Sequence, residues 1–418
     1  MIKKYLIKII IIILIVLGIF AILSKMNILD FSISTDKLNN TINNNSSNLP
    51  TVTPSNTQTL LSSMTIEEKV GQLFICAYRK DSLEKNMYVL NDELRMEINK
   101  YKLGGLILFS ENIQNEQQLR KLIVDVNSAN KNIPMYISVD AEGGLVDRLA
   151  KSLIVTALPY ISKLGETNDT DLSYKYGKII GRRLSSLGFN LNFAPVCDLD
   201  NSAAIKYRSF GTDPVMVGKM AQSYIKGLQE YNIGSTIKHF PGLGSSVGDT
   251  HNDVSRSNIT LDELEKNDFI PFQYGINSGS NIIMINHVEY DRLSDIKLPA
   301  SLNTDIYKIL RNKLNFNGII ITDGLEMGAI TKQNINTTPA YAAFIAGADM
   351  LLLPENIEKS YNEIVNAVNK GTISMQRLND SVERILDYKY KLGLFSQNKI
   401  NVNLNDINDK VVIDLINK

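Results

Sequence analysis

The chain has 418 residues, and its 44 lysines and arginines balance 44 aspartates and glutamates, so the formal charge is zero. A neutral chain gives no electrostatic reason to bind nucleic acid or another polyanion, and 44% hydrophobic residues is ordinary for a globular protein. Two cysteines, Cys76 and Cys197, allow neither a disulfide framework nor a zinc-type cluster; both sit in apolar runs, where a free cysteine behaves as a small buried hydrophobe.

Residues 1–26 place Lys3, Lys4 and Lys8 ahead of an apolar run from Ile9 to Leu23. At about 1.5 Å per residue that run covers less than a hydrocarbon core of about 30 Å. Tyr5, Leu6 and Ile7 lengthen it, and Lys8 can snorkel to the interface. Lysines on the leading side put the N-terminus in the cytoplasm and the rest outside. A cleavable signal needs small residues at its end, and Ser24 has no small partner two positions before it. The expectation is an uncleaved membrane anchor, with a cleaved signal and a secreted protein as the alternative. No cysteine follows the run closely, which excludes a lipoprotein anchor. Residues 27–59, rich in Asn, Ser and Thr, read as a flexible linker.

From residue 60 the pattern becomes regular. Thr65 and Glu68 stand in capping-box spacing before a helix. Short apolar runs then recur at 72–78, 103–110, 135–140, 189–196, 234–240, 281–288, 318–325 and 348–354, with amphipathic stretches between them. Most are apolar throughout rather than alternating, as in parallel strands buried on both faces. Eight β-then-α units over residues 60–400 predict an α/β protein, a single (β/α)₈ barrel, with 401–418 as a C-terminal tail. An open doubly wound sheet would carry a glycine-rich loop after its first strand, and "ICAYRKDS" is not one.

Barrel active sites lie at the C-terminal ends of the strands. Asp140, Lys238, His239, His287 and Asp323 stand at those ends, and Asp198 lies just beyond one. Asp323 begins an Asp-Gly pair, which is also a common turn. Asp140 opens "DAEGGLVDR", where Gly143 and Gly144 allow close backbone approach and Arg148 suits a hydroxyl or carboxylate, or a surface ion pair. Asp249 and His251 share a Gly/Ser-rich loop; a carboxylate beside an imidazole fixes its tautomer and raises its basicity. The alternation Asp249, His251, Asp253 also permits a metal, but no EF-hand or His-Glu-x-x-His pattern supports one. His287 reads equally well as a satisfied rim histidine.

Five segments, "VDAEGGLVDR", "NLNFAPVCDLD", "YRSFGTDP", "KHFPGLG…GDTH" and "IITDGLEMGAI", resemble in order the β-N-acetylglucosaminidase branch of glycoside hydrolase family 3, the NagZ-like enzymes. The resemblance spans about 65 to 396. It implies a (β/α)₈ barrel, Asp323 as nucleophile, and His251 as acid/base with Asp249 as its partner. It also implies sugar-binding positions at Asp140, Arg148, Arg208, Lys238 and His239. Other branches take a glutamate acid/base from a second domain; with the sequence ending at Lys418, the acid/base is expected from the barrel itself. The implied reaction is hydrolysis with retention, through a covalent glycosyl-Asp intermediate, of terminal N-acetylglucosamine on cell-wall glycans. Another β-glycosidase specificity or sugar transfer to phosphate is the alternative. No cofactor and no metal are implied, and a monomer is expected. Leu243 stands where the family usually has a second His, and Leu145 where it usually has Arg; both bear on aglycone preference and loop behaviour.

Overall fold

All eight apolar runs form strands: β1 (Phe74–Cys76), β2 (Gly105–Ile107), β3 (Tyr136–Val139), β4 (Leu191–Asn192), β5 (Gly234–Phe240), β6 (Ile282–Ile285), β7 (Ile319–Thr322) and β8 (Leu351–Leu352). The computed structural model describes residues 55–130, 133–202, 205–244, 255–396 and 409–417. Each strand pairs in parallel with the next from β1 to β7, and β8 pairs with β1. A single parallel bridge, Ile321 to Met350, spans the remaining seam between β7 and β8, so the sheet is a nearly closed barrel.

The register follows from chemistry. β6 and β7 read IIMI and IIIT, all buried, and pair Ile319 with Ile282 through Thr322 with Ile285. β-Branched side chains suit the pleat, and each fully buried Ile contributes roughly 1.5–3 kcal/mol. The outer helices are α1 (Asp92–Tyr101), α2 (Glu116–Ala129), α3 (Thr170–Leu187), α4 (Pro214–Gln229), α5 (Phe269–Asn277), α6 (Thr304–Lys313), α7 (Pro339–Ala346) and α8 (Ile357–Asn369). Their starts are written locally: Asn91, Asn115, Asp169, Asp213, Asn303, Thr338 and Asn356 each accept a first-turn N–H at an N-cap.

A ninth helix, α9 (Met375–Lys391), crosses the N-terminal end of the barrel. There Tyr136 Oη donates to Ile385 O, and the buried Lys389 donates to Gln72 Oε1 at 2.7 Å and Gly104 O at 3.0 Å. Asp349, fully buried, accepts from Arg311 at 2.6 Å, Arg384 at 3.1 Å and Ser381 at 2.6 Å. The floor is therefore closed, and the open end is the C-terminal one.

A helix, Asn56–Ser63, lies within the last residues of the expected linker; Ser55 and Gln58 form its capping box and Thr57 Oγ1 donates to Asp387 on α9. The expected tail contains a helix, Asp409–Ile416, whose Ile416 is buried. The expected anchor over 1–26 and the linker up to residue 54 lie outside the described residues. Among the described residues no helix is long and apolar enough to cross a membrane.

Candidate active site

The site begins where β3 ends. Asp140 follows Val139, and the chain then turns back on itself, Ala141–Gly143 pairing antiparallel with Val146–Asp147. Gly143 and Gly144 make that reversal, with φ of +97° and +59°. A Cβ on Gly143 would come 2.0 Å from Tyr176 Oη, and one on Gly144 would come 2.6 Å from Tyr160 Cα. The glycine pair therefore admits protein neighbours and a left-handed turn, rather than the ligand approach expected from sequence. Asn192, the last residue of β4, anchors the hairpin: its amide accepts from Ala141 N at 3.0 Å and donates to Ala141 O at 2.8 Å.

That hairpin carries Glu142, a buried carboxylate that receives Arg208 through Nε at 2.9 Å and Nη2 at 2.7 Å. Lys238, at the end of β5 and also buried, bridges Glu142 at 2.7 Å and Asp140 at 3.0 Å. Burial opposes charge on each group, and pairing overcomes it. Arg208 and Lys238 hold Glu142 well below the usual carboxylate range, and Glu142 and Asp140 raise Lys238. Arg148 is looser. Its Nη2 lies 3.4 Å from Asp140, its guanidinium 5.2 Å from the Phe109 ring, and its Nε has no hydrogen-bond partner.

His239 is oriented by Asp198. That fully buried carboxylate accepts from His239 N at 3.0 Å, from His239 Nδ1 at 2.6 Å and from Leu243 N at 2.6 Å. The carboxylate fixes the proton on Nδ1 and turns Nε2 toward Arg208 Nη2, 3.4 Å away. Asn286 supports the same turn, donating to His239 O at 3.2 Å and to Tyr290 Oη at 2.8 Å, while Tyr290 Oη donates to Gly242 O.

Asp323 follows β7 and is partly accessible at the rim. Its Oδ1 accepts from Gly324 N at 2.8 Å. Burial pushes its pKa up, but His287, His239, the Gly324 N–H and Lys238 together bring it below the usual aspartate value, so it is a carboxylate at neutral pH. His287 is a different kind of group. It is fully buried, with Nδ1 2.7 Å from Ser301 Oγ and Nε2 donating to Gly324 O at 2.9 Å. Both ring nitrogens are bonded within the fold, and the imidazole also bears on the Asp323 carboxylate.

Asp140, Arg148, Arg208, Lys238 and His239 thus form one bonded cluster, and Asp323 lies within its electrostatic reach. Asp249, His251 and Asp253 lie outside the described residues. Gly244 and Ser255, which flank 245–254, are at the same rim: Gly244 packs against Leu199 O, and Ser255–Ser257 pairs with Val288–Tyr290 just beyond β6. Among the described residues no three His, Cys, Asp or Glu side chains are grouped to hold a metal ion. Cys76 and Cys197 are buried, and burial raises both thiols.

Sequence reasoning missed Glu142, Asn192 and Asn286, and saw Asp198 without a role. The asparagines had left a signal, since an amide inside an apolar strand is costly unless bonded. Glu142 had none, because its partners are distant in sequence.

The arrangement is a carboxylate nucleophile candidate facing a tightly paired, donor-rich cleft. Residues 65–388 match the N-terminal domain of glycosyl hydrolase family 3. The β-hexosaminidase A of Pseudoalteromonas piscicida is 30% identical over 337 residues, covering 73% of this chain and 56% of that protein. The β-hexosaminidase of Tolumonas auensis is 36% identical over 272 residues, 64% of this chain and 80% of its own length. A solved family 3 β-N-acetylglucosaminidase from a Paenibacillus species superposes with a TM-score of 0.78 at 31% identity, over 85% of this chain and 68% of that one. The chain belongs to glycosyl hydrolase family 3 and resembles its β-hexosaminidases.

Proposed function

We propose that this protein is a retaining exo-β-N-acetylglucosaminidase. The observation that carries the proposal is Asp323, a carboxylate held ionised at a strand end and facing a cleft of sugar-sized polar groups. Asp323 attacks the anomeric carbon while the bond to the leaving oxygen breaks, and His251 gives that oxygen its proton. The resulting neutral imidazole, oriented by Asp249, takes a proton from water, whose oxygen then displaces Asp323 and releases the sugar with its original anomeric configuration. Lys238, Arg208, Asp140, Arg148 and His239 Nε2 hold the sugar hydroxyls. An imidazole titrating near neutrality suits both proton transfers.

We place the substrate among cell-wall glycans with terminal N-acetylglucosamine, because the lysine-led N-terminal run favours a membrane-anchored or secreted enzyme. The test is turnover of 4-nitrophenyl N-acetyl-β-glucosaminide beside the β-glucoside, with and without phosphate, reading the first-formed anomer by NMR. The β-anomer of free N-acetylglucosamine is expected, and Asp323→Asn should remove nearly all of the rate. Activity on neither compound sinks the reading; a sugar phosphate as product replaces hydrolysis with transfer.

A further inference from the structure

Three large apolar side chains near the mouth are exposed. Leu145, at the tip of the Ala141–Asp147 hairpin, is 45% exposed; Tyr160 is 44% exposed and Tyr207 47%. The two tyrosine rings lie 5.2 Å apart at 39°. Gly144, the neighbour of Leu145 in the hairpin turn, packs on Tyr160. Tyr207 directly precedes Arg208, whose guanidinium is paired with Glu142 in the cleft. Single exposed hydrophobics need no explanation, but a contiguous group beside a cleft marks a binding surface.

Its position fits the leaving side of the substrate. Leu145 lies in the turn of the hairpin whose first strand carries Glu142. A terminal sugar held in the barrel mouth points whatever it is linked to outward, past this tip. We propose that Leu145, Tyr160 and Tyr207 form the subsite for the first aglycone sugar, receiving a neutral pyranose by its C–H face. The exposed Lys206, with Nζ 5.7 Å from the Tyr207 ring, would donate to a hydroxyl at its edge. Tyrosine suits such a subsite because a rigid ring offers area at low entropic cost while its hydroxyl stays in water.

The inference rests on the N-acetylglucosaminidase reading, and its test separates the two. We compare kcat/KM for N,N′-diacetylchitobiose with that for methyl N-acetyl-β-glucosaminide, whose aglycone has no ring. The ratio should fall roughly tenfold in the Tyr160→Ala/Tyr207→Ala double variant, and should be kept by the Phe/Phe variant. An unchanged ratio overturns the subsite while leaving the enzyme assignment intact. If the wild type splits neither compound, the assignment fails, and calorimetry with an S-linked chitobiose decides the subsite without turnover. Roughly tenfold weaker binding by the double variant supports it. No binding by the wild type, or equal binding by both, overturns it.

Discussion

Asp268 is a carboxylate in the wrong place for a charge, and Asp268→Asn should show it. The residue begins α5 but makes no side-chain cap hydrogen bond. It is 4% exposed, and its Oδ1 has no partner. It lies under the turn that leads from Lys238 to the Asp249–His251 loop: a Cβ on Gly242 would come 2.5 Å from Asp268 Oδ1. Burial, and then the nearby charge of Asp198, push its pKa from 3.8 to about 7. The native state thus holds a proton that the unfolded state has lost, so stability falls as pH rises from about 4 to about 7. Integrated, the cost is roughly 1.7 kcal/mol at pH 5 and roughly 4 kcal/mol at pH 8. Asparagine keeps the shape and never ionises. The variant should therefore gain about 2.5 kcal/mol relative to wild type between pH 5 and pH 8, measured as the difference in urea unfolding at each pH. A difference that does not change with pH, or one that favours the wild type more as pH rises, refutes the argument.

Lys389 should behave in the opposite sense. Burial lowers its pKa from 10.5 to about 7, so the unfolded chain holds the extra proton between those values and wild-type stability rises with pH there; the stability of wild type relative to Lys389→Met should accordingly rise from pH 7 to pH 10 in the same unfolding assay. His251→Ala should cost about 10²–10⁴-fold on a glycoside with a poor leaving group and much less in the glycosylation step of an activated aryl glycoside. Asp249→Ala should do part of that damage, and the double variant little more than His251→Ala, since the pair acts as a unit; equal loss of glycosylation rate across a series of leaving-group pKa values rejects His251 as the donor. The intact protein should sediment with membranes and resist high salt; a soluble form starting after Leu23 would show a cleaved signal instead.

The strands were legible because burial on both faces leaves a local trace: IIMI and IIIT need no knowledge of their partners. One helix start was legible in the same local way, through the capping box of Thr65 and Glu68. The helix Asn56–Ser63 was not read although Ser55 and Gln58 carry capping spacing, because "NTQTLLSS" lacks a strong apolar stripe and its partners are distant in sequence, as with Thr57 and Asp387, 330 residues apart. The site divides along the same line. Asp140, Lys238, His239 and Asp323 were visible as ionisable groups closing apolar runs. Glu142 was not, because what makes it special is its pairing with Arg208 and Lys238, and neither spacing nor composition records that.

The histidines carry this distinction into chemistry. Sequence scarcity made all three candidates, but hydrogen bonds assign them different work. His287 has a partner on each ring nitrogen, Ser301 and Gly324, and is fully buried. His239 has one nitrogen bound to Asp198 and the other turned into the cleft, where it can meet a hydroxyl. Proton transfer to the leaving group needs a third arrangement, an imidazole beside a carboxylate that can approach the substrate and exchange with water. Among the three, only His251, with Asp249 two residues before it, has that chemistry in its sequence. If His251→Ala proved harmless, His287 would be a poor replacement, since freeing it would unpin Ser301 and the Gly324 turn that positions Asp323. The substitute would have to be His239, and Asp198→Asn, which releases its Nδ1, would then lower the proton-transfer step as severely as loss of the imidazole.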